Sequence, residues 1–182
     1  MKLNKDVFLR GESISLRPLR EEDIYGNYKV WLNDPEITEF NSHGRFPMTP
    51  EKLCAFVQRI GASNNTDLVM AILENEQFAH IGNISLQNIH WIDRSAEIAF
   101  ILGERAFWGK GVMYEAGKLM ITHGFKMLNL HRIYCGTAQE NTGMRRLADK
   151  LGFSEEGVRL DAIFKNGRYS NIVEYGLLSD IK

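Results

Sequence analysis

Proline is missing from the 132 residues that follow Pro50. A chain that keeps every backbone N–H over that length can run strands and helices without interruption, so regular structure is expected there. Cysteine is scarce as well. Cys54 and Cys135 stand far apart without metal-ligand spacing, and the five histidines include no H-x-x-x-H pair. A metal site and a disulfide framework therefore have no support, and the two thiols are expected reduced and buried in a cytoplasmic protein. Charge of one sign is lacking: 22 basic residues face 23 acidic ones, for a net charge of -1. Bulk charge thus gives no footprint for nucleic acid or a membrane surface. No apolar run is long enough to span a bilayer, and the stretch from Met1 to Asp6 lacks the apolar centre of a signal peptide. Repeats, low-complexity tracts and linkers are absent too, so residues 1–182 are expected to form one domain.

What is present reads as a mixed α/β domain. Ser13 to Arg17 alternates like a strand, and Arg20-Glu21-Glu22-Asp23 opens a helix with an acidic first turn that is expected to reach Asn33. A loop region follows from Asp34. Thr49 and Pro50 then suit the N-cap and first turn of a second helix, whose apolar face carries Leu53, Phe56, Val57 and Ile60. After Asn64 the pattern changes to three short-linked strands at 68–73, 79–86 and 96–102, which predicts an antiparallel meander. A helix over 112–128, a strand over 132–137 and a helix capped by Asn141 and ended by Gly152 come next. Asn166-Gly167 between two alternating runs predicts a closing hairpin.

The most telling segment is Phe107-Trp108-Gly109-Lys110-Gly111-Val112, a glycine-rich turn between an apolar strand and a helix. Such a turn leaves backbone N–H groups unpaired at the positive end of a helix, which is a phosphate-binding arrangement. A dinucleotide-binding Rossmann turn needs a third glycine, but Val112-Met113-Tyr114 follows Gly111. A P-loop needs Ser or Thr after its lysine, and here Gly111 and Val112 follow Lys110.

Seven pieces in order resemble the GNAT acetyltransferases, in particular their RimJ/RimL-like branch. They are 14–19, 81–86, 96–100, 107–111, Asn141, Leu151-Gly152-Phe153 and 164–169, and the resemblance spans about residues 13–178. It implies an α/β GNAT fold: a mostly antiparallel mixed sheet of about seven strands, splayed at the cofactor site and flanked by about four helices. It implies acetyl-CoA as co-substrate and no metal. Carried over residue by residue, the pyrophosphate falls on the backbone amides of the turn and helix start, from Trp108 to Met113. Lys110 adds a point charge or is simply an exposed turn lysine, and Phe107, Trp108 and Val112 flank the cradle. Phe100, Ile101 and Leu102 line the splay, where the pantetheine pairs like an added strand. A backbone N–H near Ile101 or Leu102 is expected to polarise the thioester carbonyl. Asn141 falls near the thioester, doubles as an N-cap, and has Met144 beside it.

Acetyl transfer needs a neutral amine, yet an alkylamine with a pKa of about 10.4 is protonated at neutral pH. A carboxylate at the acceptor takes that proton. Glu97, a charge inside an apolar strand, is the candidate base, with a pairing to Arg94 as the alternative. Three positions depart from the family. Ala148 and Met144 replace a tyrosine and a serine, and Ala106 replaces a Gln or Arg. With the family's proton donor for the thiolate gone, Tyr134 and Cys135 are the available substitutes.

The acceptor is expected over the first helices and the loops 34–48 and 87–93. Trp31, Phe40, Gln87, His90 and Trp91 are the candidate substrate residues; Glu39 and His43 stand near them, and Arg159, Asp161 and Arg168 approach from the hairpin. No carboxylate cluster suited to a polyamine is evident in the sequence. A protein N-terminus, a nucleotide-linked amino sugar and another small amine remain open as acceptors, with no nucleic acid or membrane partner expected. So does a non-catalytic acyl-CoA-binding module, and the branch allows a homodimer.

Overall fold

The computed structural model describes residues 6–62 and 65–180. The leader reading rests on Met1 to Asp6, all but Asp6 outside the described residues, and Asn64 lies outside them as well. The elements form in chain order. They are β1 (Leu9–Arg10), β2 (Ile14–Pro18), a 3-10 turn (Glu21–Tyr25), α1 (Asn27–Asn33), α2 (Pro50–Ala62), β3 (Leu68–Glu74), β4 (His80–His90) and β5 (Ser95–Leu102). A second 3-10 turn (Arg105–Phe107), α3 (Val112–Lys126), β6 (Arg132–Ala138), α4 (Thr142–Leu151), β7 (Ser154–Lys165) and β8 (Arg168–Leu178) complete the chain. Among the described residues, eight strands form one sheet in the order β1-β2-β3-β4-β5-β6-β8-β7. That is one strand more than expected, because Leu9 and Arg10 pair with Leu16 and Ser15 at the edge. Every pairing is antiparallel except β5–β6.

The expected first helix over 20–33 is two pieces. Gly26 adopts an extended conformation between the 3-10 turn and α1, which breaks the helical hydrogen-bond ladder. The acidic first turn also does different work. Asp23 is buried, bonded by the Arg17 guanidinium at 2.6 and 2.7 Å and by the Arg20 N–H at 2.8 Å. Thr49 caps α2 through its hydroxyl, 3.4 Å from the Lys52 N–H. Asn166 and Gly167 both have positive φ, the geometry of a tight hairpin turn.

Two cores lie on opposite faces of the sheet. On one, Val112, Ala116 and Met120 of α3 and Ala148 of α4 pack on Leu86, Ile98, Ile133 and Cys135. On the other, Ile24, Tyr28, Trp31, Leu32 and Leu53 pack with Ile101. Glycines at 117 and 124 let α3 come close: a Cβ at Gly117 would meet Leu151 of α4 at 2.7 Å, and one at Gly124 would meet Ile133 at 3.0 Å. No helix among the described residues is long and apolar enough to cross a membrane.

Candidate active site

The central feature is a gap in the sheet. β5 and β6 pair over three rungs, Ser95 with Arg132, Ala96 with Ile133 and Glu97 with Tyr134, and then part. Residues 98–102 keep their pairing to β4 but lose it to β6. The Gly103 N–H bonds the Ile81 carbonyl at 3.0 Å on the β4 side. Strand alternation then aims the backbone groups of Phe100 and Leu102 into the gap and those of Ile101 at β4. Of the two N–H groups expected to face a thioester, Leu102's faces the gap. Ile101's does not, and its side chain joins the core beneath α1. The Leu102 carbonyl accepts from the Trp108 indole N–H at 3.0 Å, which ties the glycine turn to the strand end.

The turn has the geometry of an anion cradle. Gly109 and Gly111 have φ of 74° and 82°, left-handed values that favour glycine, and Gly111 is the N-cap of α3. The amides divide, however. Trp108 N–H donates to Arg105 and Lys110 N–H to Phe107 inside the turn itself, so these two are not open donors. The amides of Gly109, Gly111, Val112 and Met113 have no partner in the turn or elsewhere among the described residues. Among the described residues, nothing stands within 4 Å of where a Cβ at either glycine would project. An open set of N–H groups at a helix start, beside an unpaired strand edge, fits the pyrophosphate and pantetheine of a CoA thioester. The Lys110 ammonium lies 5.5 Å from the Phe107 ring centre, at the rim. Phe107 and Met144 pack into the larger core.

Asn141 caps α4 through its Oδ1, which accepts the Met144 N–H at 3.0 Å. Glu97 stands on the face that carries α1 and α2, on the last rung before the gap, opposite Gln87 of β4 and Tyr134 of β6. The Asn88 amide donates to its Oε2 at 3.3 Å. Among the described residues no cation pairs with it, and Arg94 instead bonds Asn129 at 2.7 and 2.8 Å. Asn88 also donates its backbone N–H to Asp67 at 3.2 Å, which joins Glu97 to a groove between α2 and β3 where Glu21, Glu22 and Asp67 collect beside Arg20, with Arg59 paired to Asp67 at 3.1 Å. This acidic grouping escaped the sequence, since its members lie far apart along the chain.

The expected acceptor residues are not brought together. Trp31 is 3 % exposed and its ring lies against the His80 ring at 5.0 Å, so it is core rather than a stacking platform. Gln87 lies in β4, not in a loop, and its amide donates to the Ser85 hydroxyl at 2.7 Å. His90 and Asp93 close the β4–β5 turn around 3.0 Å, and Trp91 on it is 46 % exposed. Phe40 instead lines a small cavity with Glu39, Ala138, Glu140, Lys165 and Arg168, between the loop and the terminal hairpin. Lys165 fixes that loop by donating to the carbonyls of Thr38, Asn41 and His43. Arg105 does the same from the donor side, bonding Asp34 at 2.7 Å and Glu36 at 2.8 Å. Cys135 faces the α3 core, where burial pushes its thiol up to about 12.

The comparisons with known proteins agree with this geometry. Residues 13–154 match the acetyltransferase (GNAT) domain model. The chain is 36 % identical to the putative ribosomal N-acetyltransferase YdaF of Bacillus subtilis, over 53 % of this chain and about half (52 %) of that one. It is 36 % identical to the spermidine N(1)-acetyltransferase of Escherichia coli, over 88 % of this chain and 83 % of that one. The spermidine N-acetyltransferase of Vibrio cholerae, solved with CoA and spermine, superposes with a TM-score of 0.84 at 26 % identity, covering 92 % and 96 % of the two chains. The open turn, the parted strands and these matches together place the chain in the GNAT acetyltransferase family, and its chemistry is that of an acyltransferase.

Proposed function

We propose that this protein is an acetyl-CoA-dependent N-acetyltransferase of RimJ/RimL-like type, acting by direct attack of a primary amine in a ternary complex. The observation that carries the reading is Glu97, uncompensated by a cation, at the point where the sheet parts. Acetyl-CoA supplies an acetyl group activated as a thioester. The amides of Gly109, Gly111, Val112 and Met113 hold the pyrophosphate, and the Leu102 N–H, facing the gap, polarises the acetyl carbonyl. Glu97 takes the proton that the amine must lose. Asn141 keeps α4 in register beside the gap through its cap.

For the acceptor, a small amine that carries a further cationic group is the reading best supported. Glu21 and Glu22 line a groove with Asp67, whose carboxylate takes the Arg59 guanidinium and the Asn88 N–H that leads to Glu97, so a second ammonium has the two glutamates to meet. The spermidine acetyltransferases among the relatives point the same way.

Mixing the protein with acetyl-CoA and a panel of polyamines, N-terminal peptides and nucleotide amino sugars tests both halves, with free thiol as the readout. Thiol release is expected with polyamines, and Glu97→Gln lowers kcat by about 100-fold while acetyl-CoA affinity stays within about twofold. No release above background with any amine sinks the enzyme reading in favour of an acyl-CoA-binding module, and release with peptides alone sinks the small-amine reading.

A further inference from the structure

Breaking a thioester releases a thiolate, and Ala148, fully buried, offers no proton at the family's usual position. The strand register decides which polar side chains surround the gap on the acceptor face. They are Asn83, Ser85, Gln87, Glu97, Tyr134 and Glu174. Of these the Tyr134 phenol is the one proton donor of suitable acidity: the amides and the alkyl hydroxyl are far weaker acids, Glu97 is the base, and Glu174 accepts from Arg159 at 2.5 Å.

We propose that Tyr134 is the proton donor to the sulfur leaving acetyl-CoA, and that Glu97, its partner across the last β5–β6 rung, recharges it. This rests on the function proposed above. Paired residues of neighbouring strands present their side chains to the same face, so Tyr134 and Glu97 stand side by side where the gap opens. Gly136, two residues further along that face, has no side chain to close the gap. The Arg132 guanidinium lies 5.9 Å from the Tyr134 ring centre and steadies it. The charged groups facing Tyr134 are Glu97 from β5, Glu174 from β8 and Arg132 from its own strand. Burial, then Glu97, raise its pKa above the ordinary 10, with Arg132 opposing, so the hydroxyl keeps its proton at neutral pH. The competitors are placed elsewhere. Cys135 points to the opposite face, and Tyr175 lies one strand farther from β5, sealed in the core, with its oxygen accepting the Arg145 Nε–H at 3.2 Å.

The protons balance. The ammonium's first proton leaves through Glu97 to solvent; the neutral amine nitrogen then bonds to the acetyl carbon as the carbon–sulfur bond breaks, and sulfur takes the Tyr134 proton. The nitrogen gives one proton to Glu97, which passes it to the Tyr134 phenolate. Amine and thioester become amide and thiol, with both side chains restored.

The test is Tyr134→Phe, which keeps the ring. In the binary complex with CoA, the thiol's ionisation is titrated by thiolate absorbance, with no acceptor needed. A phenol that donates to sulfur stabilises the thiolate, so the bound thiol in Tyr134→Phe is expected to ionise about one pH unit higher than in the wild type. In turnover, kcat falls about 10- to 100-fold with KM for both substrates within about twofold. An unchanged thiol titration and an unchanged kcat overturn the assignment and leave the proposed function standing. Failure of the wild type to bind CoA by calorimetry overturns both. If Tyr134→Phe melts early, fluorotyrosine at 134 acidifies the hydroxyl with the fold kept, and the bound thiol must then titrate lower.

Discussion

The donor and acceptor halves of the site are built in opposite ways. The donor half is nearly continuous in sequence: residues 98–102 provide the open strand edge, and 109–113 follow within a few positions. The acceptor half is assembled from distant parts. Asp67 meets Glu97 through Asn88, Phe40 meets the hairpin at Arg168, and Lys165 grips carbonyls over a hundred residues earlier. A site made of one short segment depends on local backbone conformation, whereas one made of many segments depends on the ion pairs and packing that hold them. Damage to the first is therefore expected to spare the fold, and damage to the second to weaken it.

The largest effect belongs to the acceptor wall. Asp23→Asn leaves the Arg17 guanidinium, 11 % exposed, without its counter-ion, and about 3–5 kcal/mol of stability is expected to go. Urea unfolding at neutral pH measures this, and a loss under about 1 kcal/mol would break the contrast between the halves. The pH dependence follows from the same group. Burial raises the carboxyl's pKa, but Arg17, His80 and the Arg20 N–H outweigh it and hold Asp23 well below the usual carboxylate range. Its stabilisation is complete above the unfolded value of 3.8 and is lost as pH falls below it toward the lower folded value. Asp23→Asn is expected to remove that acid-side slope.

On the donor side, Gly111→Glu combines a non-glycine residue at φ 82° with a carboxylate among the phosphate donors. CoA affinity by calorimetry is expected to fall at least about 100-fold, or about 2.7 kcal/mol, with the cooperative fold retained. Unchanged affinity refutes the cradle. The smallest effect is Asn141→Ala, which removes a helix cap worth about 1 kcal/mol. The melting point is expected to drop by about 2–4 °C, and a drop beyond about 8 °C means that Asn141 holds more than its helix.

The contrast between the halves also explains how much could be read in advance. Gly109-Lys110-Gly111, the Asn141 cap and the Asn166-Gly167 turn act through neighbours a few residues away, and each stands where its local chemistry requires. Trp31 was misplaced because exposure depends on what packs above it: α1 folds back so closely that a Cβ at Gly103 would fall 1.9 Å from its ring. Gly26 falls inside a helical pattern in the sequence, yet it is extended, ending the 3-10 turn with its N–H on the Asp23 carbonyl and opening α1. The acidic groove was hidden because Glu21 and Asp67 are separated by two helices and the loop between them.

The sequence by itself determined the order of elements from α2 onward, the glycine turn, the helix caps and the charged residue within an apolar strand, because period, glycine conformation and capping are short-range properties. Only the tertiary structure decided that β5 and β6 part after Glu97, that Leu102 rather than Ile101 turns its N–H into the gap, and that Tyr134 stands beside Glu97 while Cys135 faces away. These follow from strand register. Register is set by pairing between segments distant in the chain, and a shift of one residue would exchange every side chain between the two faces.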